Sequence, residues 1–89
     1  MKEPTNIFGE LLRHKIKNRG LTQKQLAKLV NIPESTISRY CSGERLPSII
    51  NMDHICRFLG TTIDDFMREV IQNDFINAID SDRADLDRG

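Results

Sequence analysis

With 89 residues the chain has the length of one compact domain with a single modest core. A hydrophobic share of 38% and a charged share of 29% exclude a wholly disordered chain; with no stretch nearing the roughly 20 apolar residues that span a bilayer, and no signal-peptide segment, a cytoplasmic location is expected. The net charge of zero hides a polarity: residues 1–45 hold nine Lys/Arg against four acids, +5, and residues 46–89 hold four against nine, −5.

The spacing predicts a first helix over about residues 6–19, where Thr5 or Asn6 can cap, Phe8, Leu11, Leu12 and Ile16 recur helically, and Gly20 suits a left-handed stop. Thr22-Gln23-Lys24-Gln25 has the form of a capping box and opens a second helix over about 22–30, with Leu26, Ala27, Leu29 and Val30 expected to face inward. Asn31 follows where the chain must reverse, a position that asks for left-handed backbone. Pro33 presets the first turn of a third helix over about 33–42, Glu34 suits its positive end and Gly43 closes it. After Leu46-Pro47, Ser48 caps a fourth helix whose Ile49, Met52, Ile55, Cys56 and Leu59 are expected inside before Gly60. Thr62, with Asp65 three residues on, caps a fifth helix over about 62–79, and no room is left for a sheet.

The apolar stripe of that last helix, from Ile63 and Phe66 to Phe75 and Ile79, covers roughly four turns, more than a small core can hide. Residues 68–79 are therefore expected to meet a second copy through Val70, Ile71, Phe75 and Ile79, leaving 1–67 as the principal domain. Residues 80–89 carry four aspartates and no aromatic ring, and are expected to form an acidic, disordered tail. Cys41 and Cys56 have neither zinc-site nor disulfide spacing and read as small buried residues, and His14 and His54 read as surface or boundary residues. No cofactor or metal is expected. Asp64 with Asp65, and the Asp80–Asp87 run, sit at a helix start and in the tail rather than in a pocket, so no enzymatic activity is expected.

The second and third helices form a helix-turn-helix unit, with Ala27 at a close helix crossing and Ile32 and Ile37 as plugs into the core. Between the plugs, Glu34, Ser35, Thr36, Ser38, Arg39 and Ser42 make an unusually polar surface, which by itself is also what a merely solvated helix face looks like. The run LTQKQLAKLVNIPESTISRYCSGERLPSIINMDHICRFLGTTIDDF, residues 21–66, closely resembles the Cro/C1-type (XRE-type) helix-turn-helix family of phage and bacterial transcription regulators. The resemblance lies in LTQ-x-x-LA, STIS-R, G-x-x-x-PS and I-x-x-x-LG-x-x-x-D-D-F, and with the first helix it covers about two-thirds of the chain.

That resemblance implies an all-α, five-helix lambda-repressor-like domain with an extended C-terminal helix and the third helix in the major groove of double-stranded DNA. It places Gln23 at a phosphate-contacting, helix-bracing position and Glu34, Ser35 and Arg39 at base-reading positions. The chemistry is compatible: Arg39 can donate twice to guanine, Ser35 can serve either member of a pair, and Glu34 can accept from the amino group of cytosine. Thr22, Lys24, Thr36, Ser42 and Arg45 are the further phosphate candidates. Ile16 and Cys41 stand where the family often has an Arg and its acidic partner, so an apolar contact is expected there, and Asn31 replaces the usual turn glycine. Glu34 reads a base or, equally, braces Gln23 or Arg39. The expected function is a sequence-specific repressor that binds a two-fold operator as a homodimer. The alternative is a protein-interaction module or antitoxin-like adaptor that grips a protein through the fifth helix or the acidic tail.

Overall fold

The computed structural model describes residues 4–72, with side chains from Asn6 onward, and among the described residues it is built of helices without a strand. Helix α1 spans Pro4–Asn18, α2 Gln23–Val30, α3 Glu34–Cys41 and α4 Ile49–Leu59, and α5 runs through residues 63–72. The local causes are those read from the sequence. Thr22 Oγ1 accepts from the Gln25 amide at 3.1 Å while Gln25 Oε1 accepts from the Thr22 amide at 2.9 Å, which completes the capping box. Ser48 and Thr62 cap α4 and α5 in the simpler way, accepting from the amides of Asn51 and Asp65 at 3.2 and 3.1 Å. Asn31 ends α2 with φ 57 and ψ 43, a left-handed geometry that its short amide side chain tolerates.

α1 packs on α2 and α3, and α2 packs on α3 and α4. Leu12, Leu26, Ile37, Ile55 and Phe66 are fully buried at the centre, and each such side chain contributes roughly 1.5–3 kcal/mol relative to exposure. Phe8 of α1 and Phe66 of α5 meet with ring centroids 5.1 Å apart and planes tilted by 56°, and Lys15 Nζ lies 2.8 Å from Glu69 Oε2, so the two helices are joined by an aromatic pair and an ion pair. Ile16 and Cys41 both belong to this core, as the apolar replacement of an ion pair requires. Cys56 is buried with them, and burial pushes both thiols up to about 11, with Arg13 partly opposing the rise at Cys41. His14 and His54 are exposed. No helix of the described residues is long and apolar enough to cross a membrane.

One close contact has no signature in the periodicity. A Cβ placed on Gly9 of α1 would collide with the carbonyl oxygen of Cys41, so α1 and α3 touch backbone to backbone and only glycine fits.

Three expected burials are corrected. Leu29 is 48% exposed, because α2 turns Leu26, Ala27 and Val30 inward and Leu29 falls about 100° around the helix from the middle of that face. Ile49 is 78% exposed: it lies one turn before Met52, where the buried stripe of α4 begins. Val70, expected to face a second copy, is buried in the core of its own chain beside Phe66, whereas Ile71 is 64% exposed. Phe75, Ile79 and the 80–89 segment lie outside the described residues.

Candidate nucleic-acid interface

The exposed side of α3 is set by what the other side must bury. Ile37, Tyr40 and Cys41 are inside, and at about 100° per residue Glu34, Ser38, Ser42, Ser35 and Arg39 fall in that order within an arc of about 140° on the outside. Thr36, at the edge of the arc, is half-buried. The arc is held on a fixed support. The Tyr40 hydroxyl accepts from Asn51 Nδ2 at 3.2 Å, tying α3 to α4, and the close approach at Gly9 ties it to α1.

Both ends of α3 carry information. Pro33 provides no side-chain cap, so the first amides of α3 have no side-chain acceptor, while its carbonyl accepts from Thr36 and Ile37 at 3.0 and 3.1 Å. At the other end Gly43 adopts φ 78, its amide donates to Tyr40 at 3.2 Å and the Glu44 amide to Arg39 at 3.0 Å, the two bonds of a Schellman stop. The same Arg39 carbonyl accepts from Ser42 Oγ at 3.0 Å and from the Arg45 amide at 3.3 Å. Ser42 thus spends its proton on the helix end, and Arg45 is drawn to the Arg39 end of the arc.

Gln23 and Lys24 open α2, Gln23 half-buried and Lys24 exposed. Lys24 and Lys28, four residues apart on one face of α2, line a groove of about 460 Å³ together with Asn31 and Glu34. The expected site residues of α2 and α3 are therefore gathered on two adjoining helices, and Arg45 joins them through the α3 stop. Sequence reasoning passed over Ser38, in the middle of the arc, and Lys28, whose four-residue step from Lys24 was the available signal.

Charge pairing separates this region from the rest. Arg57 and Arg68 are held by Asp53 and Asp64, each four residues earlier, at 3.0 and 2.8 Å. Lys24, Lys28, Arg39 and Arg45 form no ion pair among the described residues, so their charge is available to an anionic partner. The described residues hold no group of three His, Cys, Asp or Glu side chains that could bind a metal ion.

A family model described as helix-turn-helix matches residues 12–66. The HTH-type transcriptional activator BcrR of Enterococcus faecalis is 32% identical over 60 residues, covering 67% of this chain and 29% of that protein. The uncharacterized HTH-type transcriptional regulator RC1195 of Rickettsia conorii is 31% identical over 68 residues, covering 72% of this chain and 62% of that protein. The chain thus spans less than two-thirds of either relative. Two crystal structures of the clp gene regulator ClgR from Corynebacterium glutamicum share the fold at 21% identity. One has a TM-score of 0.80 over 96% of this chain and 90% of that one, the other 0.72 over 80% and 91%. The helix-turn-helix match over most of the chain and the two regulators above 30% identity place it: it belongs to the Cro/C1-type helix-turn-helix family of transcription regulators.

Proposed function

We propose that the chain is a sequence-specific DNA-binding regulator that lays α3 in the major groove and binds a two-fold operator as a pair, and that it represses by occupying promoter DNA. The observation that carries this is the α3 arc, polar throughout and free of internal ion pairs, on a helix whose opposite side is fixed in the core. Arg39 and Ser35 read base edges, Arg39 as a two-pronged donor to guanine. Glu34, with Lys24 and Lys28 lining the same groove, has cations to balance a carboxylate beside DNA, which favours its use as an acceptor for a cytosine amino group. The free amides at the start of α2, with Thr22, Gln23 and Lys24, hold one phosphate region, and Thr36, Ser42 and Arg45 hold another.

Selection of bound sites from random DNA, followed by anisotropy titration at two salt concentrations, tests the reading. A two-fold site with half-sites about one helical turn apart, roughly 34–36 Å, is expected. Binding no tighter than to random sequence at low salt overturns it and leaves the protein-interaction module. A reporter under the selected site should rise when the gene is deleted, and a fall would reverse the proposed sign of regulation.

A further inference from the structure

A second exposed surface has the opposite chemistry. The loop after α3, the first turn of α4 and α5 enclose a groove of about 180 Å³ lined by Phe8, Leu46, Pro47, Ile49, Ile63 and Met67. Residues 46–52, LPSIINM, carry no charge in a chain that is 29% charged, and depletion of charge marks the centre of a protein interface. On α5 two stripes diverge. Phe66 and Val70 serve the chain's own core, and the positions that follow on that face, Asn73, Asp74 and Asn77, are polar in sequence. The neighbouring stripe starts in the groove with Ile63 and Met67, stands open at Ile71, and continues in the sequence at the same four-residue step with Phe75 and Ile79.

We propose that the groove and this stripe together form the contact between two copies of the chain, related by a two-fold axis. Such a contact requires one face to carry both a hollow and the apolar side chains that fill it, and this face carries both. Its other possible occupants fit less well. The groove is smaller than the roughly 300–1,000 Å³ usual for small-molecule sites, and its uncharged lining gives nucleic acid or an acidic peptide nothing to pair with. The proposal deepens the two-copy operator reading and rests on it for its purpose. Only the loop from Ser42 to Ser48 separates α3 from α4, so docking at this face sets the distance between the two recognition helices.

Sedimentation equilibrium of the full 89-residue chain tests it, with Ile49→Asp and Ile71→Asp as the disrupting variants and Leu29→Asp as the control on another exposed position. All three sites are exposed, and an unchanged helical circular-dichroism signal verifies the fold. If an aspartate variant unfolds, Ile49→Ser and Ile71→Ser take its place. The chain is expected to be a dimer whose dissociation constant rises at least tenfold in each disrupting variant and stays within twofold for Leu29→Asp. A monomeric parent at the highest concentration reached, a dimer indifferent to both variants, or one dissociated by Leu29→Asp overturns the proposal. A dimer disrupted as expected but without preference for any DNA would retain this contact and remove the operator reading. A monomer that still selects a two-fold site would do the reverse.

Discussion

The outer arc of α3 and the outer face formed by α4 and α5 are both exposed, yet they are built in opposite ways. On α3 every apolar side chain turns inward and the outside is polar, so water can cover it at no cost. On α4 and α5 the core takes Met52, Phe66 and Val70, and Ile49 and Ile71 are left outside. Exposed area alone therefore does not distinguish a recognition surface from an ordinary one. The distinguishing features are how firmly the surface is backed and whether its outer chemistry is satisfied by water.

The sharpest way to break that contrast is to remove the backing. Ile37→Ala, at a site with no exposure, is expected to cost about 2–5 kcal/mol, read as a lower urea midpoint, with operator binding falling alongside the folded fraction. An unchanged midpoint would show that the arc does not depend on its buried side. Arg39→Ala works on the front alone. It should leave the urea midpoint nearly unchanged and remove about 1–3 kcal/mol of discrimination at one base position, whereas equal losses on operator and random DNA would reduce Arg39 to a phosphate contact. Thr22→Ala deletes the oxygen that caps α2 and should lower stability by about 1 kcal/mol, a loss that Thr22→Ser should largely restore. The smallest effect belongs to the apolar face. In dilute monomer Ile71→Ser should shift folding stability by less than about 0.5 kcal/mol, and a larger loss would mean that Ile71 is packed after all.

The parts of the fold that were legible in the sequence are those with local causes. The Thr22 box, the Ser48 and Thr62 caps and the left-handed stop at Asn31 each depend on a few neighbouring residues, and they sit where those residues placed them. Depth was not legible in the same way. Periodicity says which side of a helix is apolar but not how far the neighbouring helices reach along it, so Leu29 and Ile49 were assigned to a core that does not extend to them, and Val70 was assigned outside one that does. The polar arc of α3 was visible as a set of residues, but the middle position of Ser38 appears only once the buried side fixes the helix's rotation. Gly9 left no trace, because a contact between two backbones imposes no pattern on the side chains around it.

That contact also bears on how such a protein could acquire a new operator. Where helices meet through side chains, trimming or enlarging one residue lets a helix tilt and sweep its reading edge across different bases. At Gly9 and Cys41 there is nothing to trim and no space to enlarge, so α3 keeps its pitch in the groove. Retargeting must then proceed by exchanging residues on the outer arc one at a time, and variation in α1 near Gly9 is open only to substitutions that leave the glycine in place.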